Sequence, residues 1–346
     1  MDCDKCGADP VMHAAYSGQH LCESHLRESV ERRVRRRVRE DNLLPDGASP
    51  DDPETWVIGL SGGKDSVVLA TILHETFDVD PRVELMALSI HEGIEGYRDE
   101  SLAACEDLTA DLGIRHEVVT YESEFGVRMD DVVADDPMDM SACGYCGVFR
   151  RDVLARHARN LDADKLLTGH NLDDEAETAL MNVLEGDVAQ MAQHFDASLG
   201  PFPSEDPAEA QGERGTGPPT AESGAGRRDG STRRVVETFV PRAKPLRDVP
   251  EKEVALYAQL RDLPVHMATC PHSDEAFRGE IQSLLLDLED RHPGTRHSIL
   301  AGYEQLAGLA AAAERDEGLE FGNCEECGAA TARDVCRTCA LLEALA

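Results

Sequence analysis

The chain has 346 residues and a formal net charge of -34, from 68 acidic and 34 basic side chains, of which only five are lysines. That length exceeds one average domain and points to two or three units. The lysine-poor acidic excess fits a halophilic host whose salt screens the repulsion. No apolar run approaches the roughly eighteen residues of a membrane-spanning helix, so no membrane contact is expected. The opening Met-Asp-Cys-Asp-Lys-Cys lacks secretory-signal character, so a cytoplasmic location is expected, with its eleven cysteines acting as metal ligands or thiols and not as disulfides.

In chain order, Cys3 and Cys6, then Cys22 and His25, form two short knuckles with the separation of a closed structural zinc site. A redox dithiol pair is the alternative, and the pairing of two knuckles favours zinc. Residues 1–26 therefore read as a zinc module. Residues 27–39 hold seven arginines and two glutamates, either a phosphate-contact face for RNA or a solvated linker helix. An acidic Pro/Asp/Gly linker closes this segment at residue 53.

A catalytic domain is expected over 54–198 and 233–318. The apolar run Trp56-Val-Ile-Gly-Leu60 reads as a strand, and the periodic run after residue 65 as a helix. Between them lie Ser61, Gly62, Gly63, Lys64, Asp65 and Ser66. Two glycines admit backbone amides close to an anion, the helix dipole favours it, and Lys64 and the serines donate to it. This is a phosphate cradle, without Walker A spacing. Strands are predicted at 83–90, 115–121 and 165–168, and helices at 65–75, 99–112, 148–160 and 174–184. That alternation gives an α/β fold with a parallel sheet covered on both faces. The loops 61–66, 91–96 and 169–174 all follow strands and should meet on one rim.

Cys143 and Cys146 have no second knuckle nearby. Cys105 lies within an amphipathic helix and reads as core, which leaves Cys270 as their partner. Three readings stand for Cys143, Cys146 and Cys270: three ligands of an iron–sulfur cluster with one open iron, a persulfide relay, or a third zinc site completed by His272. Residues 199–232 are rich in Pro, Gly, Glu and Ser and read as a disordered insertion. A short strand at 235–240 and helices at 250–261, 274–290 and 297–314 follow. Cys324, Cys327, Cys336 and Cys339 form a second zinc set, within a C-terminal module at 319–346.

The order Ser-Gly-Gly-Lys-Asp-Ser resembles the PP-loop of ATP pyrophosphatases. Together with the cysteine sets, Cys143-Gly-Tyr-Cys-Gly-Val-Phe-Arg-Arg151, Thr168-Gly-His-Asn-Leu-Asp-Asp174 and Arg242-Ala-Lys-Pro-Leu246, the whole chain resembles the TtuA-type tRNA 2-thiouridine synthases. The resemblance implies ATP and magnesium, a [4Fe-4S] cluster on Cys143, Cys146 and Cys270, and two structural zincs. It also implies tRNA as substrate, a ubiquitin-like thiocarboxylate protein as sulfur donor, and a homodimer. ATP contacts are implied at residues 61–66, Ile90, Arg150 and Gly169. Catalytic roles fall on Lys64, Arg150, and Asp173 or Asp174. Some members carry lysine where this chain has Arg150; arginine keeps the grip on phosphate but does not donate protons near neutral pH. Helix capping is the plainer role for Asp173 and Asp174. The expected reaction adenylates uridine O2, in the wobble position, and replaces AMP by sulfur. A cytidine-2-thiolating PP-loop enzyme and a non-catalytic zinc-ribbon scaffold for RNA or a ubiquitin-like protein are the alternatives.

Overall fold

A computed structural model describes residues 1–136, 138, 140–186, 191, 240–273, 277–317, 322–331 and 333–345. The expected insertion at 199–232 lies outside the described residues, as does most of the strand expected at 235–240.

Five parallel strands form the central sheet in the order β5-β4-β3-β6-β7. They are β3 (Glu54–Gly59), β4 (Val83–His91), β5 (Arg115–Thr120), β6 (Lys165–Leu167) and β7 (Arg242–Ala243). Side chains alternate across a strand, so Trp56 and Ile58 enter one apolar core and Val57 the other. The first core is covered by α2 (Lys64–Phe77) and α8 (Glu251–Leu260), whose Val67, Leu69 and Tyr257 are buried. The second is covered by α6 (Ala142–Asn160) through Tyr145, Phe149 and Val153. After β3 the chain moves toward β4 and β5, and after β6 toward β7. The order therefore reverses beside β3, which is where such sheets open a crevice beyond their carboxyl ends.

The elements between these strands are α3 (Tyr97–Leu112), α4 (Tyr121–Phe125), α5 (Met129–Asp135) and α7 (Leu172–Glu185). Cys105 on α3 is fully buried, as its apolar reading required. Two further helices, α9 (Phe277–Arg291) and α10 (Thr295–Glu317), pack on α7 through Ile281, Leu285 and Tyr303.

The N-terminal hairpin of β1 (Met12–Ala14) and β2 (Gln19–Leu21) leads into α1 (Glu23–Glu40). Leu26, Val30, Val34 and Val38 repeat every four residues and are all buried, which seats α1 on the catalytic core. Five of its seven arginines face acids. Arg33 pairs with buried Glu253, Arg36 and Arg37 with Asp248, Arg35 with Glu31 and Arg27 with Glu23. The helix is thus a packed strap to α8 and to the turn before it, neither a solvated linker nor, for these five side chains, a free phosphate face.

Candidate active site

The 61–66 loop is bent by its own side chains. Ser66 Oγ accepts from Ser61 N at 3.1 Å and donates to Gly63 O at 3.0 Å. Gly62 has φ +81°, and a Cβ there would meet the Ser101 carbonyl oxygen at 2.4 Å. Only glycine meets both demands. The Gly169 loop packs just as closely, since a Cβ there would stand 2.8 Å from the Asp65 carbonyl carbon. The loop ends at Gly63, the N-cap of α2, so the positive end of a fourteen-residue helix faces the crevice.

Lys64 does not stand free. Its Nζ lies 2.9 Å from Asp65 Oδ2 and 2.8 Å from Glu251 Oε1. Burial alone would lower its pKa, but Asp65 and Glu251 outweigh burial and raise it. Asp65 is raised by burial against the pull of Lys64 and Asn171, and Asn171 Nδ2 donates to its Oδ1 at 2.9 Å. The two aspartates of the 169–174 loop separate in role. Asp173 accepts from Glu251 N at 2.8 Å and pairs with Arg296 at 3.1 Å, joining α7, α8 and α10. Asp174 closes the capping box of α7 with Asn171 and lies near enough to Asp65 to raise its pKa. The cap reading describes what Asp174 does here, and of the two it is the one turned toward the loop.

Cys143, Cys146 and Cys270 line one cavity of about 340 Å³ together with Ser61, Gly63 and Arg150. Cys143 and Cys146 sit on the first two turns of α6, which begins at Ala142 and not at 148 as expected. Ser141 caps the helix by accepting from Gly144 N at 3.2 Å. Burial pushes the Cys146 thiol up, against the adjacent Arg150 guanidinium. Burial also pushes Cys270 up, while the backbone N–H of His272 pulls it down. His272 lines the same cavity, but its Nε2 is engaged by Asp130 Oδ1 at 2.7 Å. That geometry disfavours the third zinc reading.

Nothing in residue order singles out the group that joins the two halves of the cavity. Glu92 follows β4 and is 3% exposed. Its Oε1 lies 2.9 Å from Arg150 Nη2, which also reaches Cys146 Sγ at 3.2 Å. Its Oε2 lies 2.8 Å from Arg98 Nε as an ion pair. Arg98 donates from Nε to Ile90 O at 2.5 Å and from Nη1 to Ser61 O at 2.7 Å and Ser101 Oγ at 2.9 Å. One buried carboxylate therefore ties the cysteine helix to the phosphate loop. Tyr121 braces the same turn, its hydroxyl donating to Cys146 O at 3.0 Å. The glycine-rich run at 91–96 was the available signal, and it marks the loop without marking Glu92.

The outer cysteine sets have a different geometry. The ligand atoms of Cys3, Cys6, Cys22 and His25 all lie within 4.8 Å of one another, as do those of Cys324, Cys327, Cys336 and Cys339. Cys6 and Cys22 sulfurs stand 3.7 Å apart, Cys327 and Cys336 sulfurs 3.6 Å, close to the edge of a tetrahedron with zinc–sulfur bonds of about 2.3 Å. The Cys336 N–H donates to Cys324 Sγ at 3.2 Å and brings that thiol down to about 6. Both donor sets suit zinc. After the second, α11 (Arg337–Leu345) lays fully buried Leu341 into the core beneath Tyr145 and Phe149 of α6. Cys336→Ser is expected to halve the zinc content and to lower stability by about 2–4 kcal/mol, because metal binding and the seating of α11 are one process. Metal analysis and denaturation midpoints check this. Two zincs retained per chain would contradict it.

The PP-loop domain family matches residues 27–200, and the N-terminal LIM domain of 2-thiouridine synthetase TtuA matches residues 2–27. The chain is 63% identical over 346 residues to tRNA 2-thiolation protein NcsA of Haloferax volcanii, covering 100% of this chain and 99% of that protein. It is 33% identical over 341 residues to cytoplasmic tRNA 2-thiolation protein 1 of Danio rerio, covering 97% and 85%. Among solved structures it matches the U34-tRNA thiolase NcsA from Methanococcus maripaludis with its [4Fe-4S] cluster. That match has a TM-score of 0.75 and 32% identity, and covers 100% of this chain and 96% of that one. Similarity of this extent, running from the first cysteine knuckle to the last, makes the chain a member of the tRNA 2-thiolation protein family, built on a PP-loop core.

Proposed function

We propose that this protein is an ATP-dependent tRNA sulfurtransferase that makes 2-thiouridine at the wobble position. The observation that carries this reading is the shared cavity: Ser61 and Gly63 of the phosphate loop and Cys143, Cys146 and Cys270 line the same space. The phosphates of ATP, with magnesium, would lie against the 61–66 loop and the first turn of α2. Lys64, held protonated by Asp65 and Glu251, is placed to meet charge that develops on the leaving pyrophosphate. Uridine O2 attacks the α-phosphorus; a new P–O bond forms as the bond to pyrophosphate breaks. The base is then activated, because AMP leaves C2 more readily than oxide. Sulfur attacks C2 and AMP departs with the former O2. Arg150 stands between Glu92 and Cys146 and is suited to hold the adenylate phosphate during that exchange.

Cys143, Cys146 and Cys270 are the residues that would hold a [4Fe-4S] cluster, which supplies an iron without a protein ligand at which sulfide can be kept. Among the described residues their ligand atoms do not all gather within 4.8 Å as those of the outer sets do, which would suit a cluster better than one zinc ion. The outer sets would hold zinc. A ubiquitin-like protein with a terminal thiocarboxylate is the sulfur donor of this reading. Exposed Leu286 on α9 and Leu306 and Leu309 on α10 are apolar surface that a homodimer would bury. The relatives named cytoplasmic support activity in the cytoplasm.

The test is direct. Pyrophosphate release from ATP should depend on tRNA, and nucleosides from a deletion strain should lack 2-thiouridine by mass spectrometry. Unchanged 2-thiouridine in that strain would remove this function, and 2-thiocytidine lost in its place would favour the cytidine enzyme.

A further inference from the structure

We propose that Arg151 and Arg242 form a phosphodiester-binding site at the lip of the active cavity, holding the tRNA backbone beside the base under modification. The proposal rests on the tRNA reading above. Arg151 follows Arg150 on α6, but its side chain is exposed. A Cβ on Gly147 would stand 3.3 Å from Arg151 Nη1, and Gly147 lines the cavity. The Arg151 guanidinium therefore lies over the cavity edge. Arg242 opens β7, and its Nη2 donates to the Arg151 carbonyl at 3.1 Å. Arg150 thus lines the cavity, Arg151 lies at its edge beside Gly147, and Arg242 is tied to the Arg151 backbone just beyond.

Acids outnumber bases two to one, and five arginines of α1 are each paired with a carboxylate. Arg150 has Glu92. Arg151 and Arg242 are among several arginines, Arg32, Arg39, Arg128 and Arg159 included, that pair with no carboxylate among the described residues; these two differ in adjoining each other and the cavity. Burial and then Arg151 bring the Arg242 guanidinium down to about 10. Adjacent like charges left without a counter-ion repel each other, and an anion bound between them removes that repulsion.

The anion that fits is set by the reaction's geometry. A uridine whose C2 reaches the cysteine side of the cavity must leave its own sugar and phosphates at the mouth. Arginine forks match a phosphodiester with two parallel donors each. This contact carries no sequence information; it fixes register, so that the base presented to the cavity is the one beside the clamped phosphate.

The experiment measures binding of transcribed tRNA to the whole metal-loaded protein across a KCl titration, without ATP. Arg151→Gln is expected to weaken tRNA about five- to tenfold and to reduce the slope of log affinity on log salt by about 0.7–0.9, one phosphate contact. Arg151→Lys should recover part of the affinity, and ATP affinity should stay at the wild-type value. Arg242→Gln, which also releases the strap to the Arg151 carbonyl, should weaken tRNA similarly. Wild-type affinity and slope in Arg151→Gln, with the wild-type protein binding tRNA, would overturn this site and leave the tRNA reading standing. Weakened ATP with unchanged tRNA would assign the arginines to the nucleotide and overturn it too. A wild-type protein that binds no tRNA would remove both.

Discussion

Cys270→Ser is expected to lower 2-thiouridine formation by about a hundredfold or more, with a much smaller loss of tRNA-dependent pyrophosphate release. The two partial reactions separate because the groups that carry them sit on different elements. The phosphate loop hangs on β3 and α2, fastened by Arg98 and Ser66. Cys270 lies on the loop after α8. That loop holds its shape without the thiol: Ser273 donates to the Cys270 carbonyl at 2.7 Å from Oγ, and His272 is pinned on Asp130 at 2.7 Å. Serine is close in size and should leave this framework in place. Its hydroxyl stays protonated and binds iron poorly, whereas a thiolate is a soft and strong ligand. Anaerobically purified variant and wild type, assayed for iron, acid-labile sulfide and zinc, should differ in iron and sulfide and agree in zinc. Full thiolation by the serine variant, or wild-type iron and sulfide in it, would sink the assignment of Cys270.

Much of this arrangement could be read from residue order because local chemistry carries it. The strands and helices around residues 56–120 follow apolar periodicity, and the phosphate loop follows from two glycines between a strand and a helix. The zinc-type gatherings follow from knuckle spacing, and buried Cys105 from its place in α3. Other features depend on contacts between distant segments. β7 has two residues, too few for any periodicity, and exists because its backbone pairs with β6. The helix was expected only from residue 148, because glycine and a cysteine pair are poor helix signals; Ser141 is the cap that marks its start. The fate of Arg33, Arg36 and Arg37 was settled by Asp248 and Glu253, more than 200 positions away. The same holds for Asp173, whose partners lie on α8 and α10. Adjacent acids at a helix start look alike in sequence, and tertiary placement alone turns one toward the loop and the other into the frame.

Glu92 shows the same limit with the largest energetic consequence. Glu92→Ala is expected to lower the unfolding free energy by about 3–5 kcal/mol, and Glu92→Gln by about 1–2 kcal/mol. The side chains of Arg98 and Glu92 are 5% and 4% exposed, so solvent cannot replace the lost partner. Arg150 is 51% exposed, and its half of the network is screened and contributes little to stability. The loss therefore falls mainly on Arg98. An uncompensated buried guanidinium should draw water or turn outward, and the Ser61 and Ile90 carbonyls would lose their donor. Slackening at Ser61 reaches the phosphate loop. Removal of Glu92 on the other side leaves Arg150 with Cys146 as its remaining neighbour at the turn that begins α6. Glu92→Gln keeps the shape of the site and isolates the charge. It should raise the KM for ATP and lower kcat for thiolation together, because one bond line serves both halves of the cavity. Denaturant unfolding, tRNA-dependent pyrophosphate release and iron content, measured on the same preparation, read the three effects separately. Wild-type stability with wild-type ATP kinetics in Glu92→Gln would mean that the carboxylate is not what couples the phosphate loop to the cysteine helix.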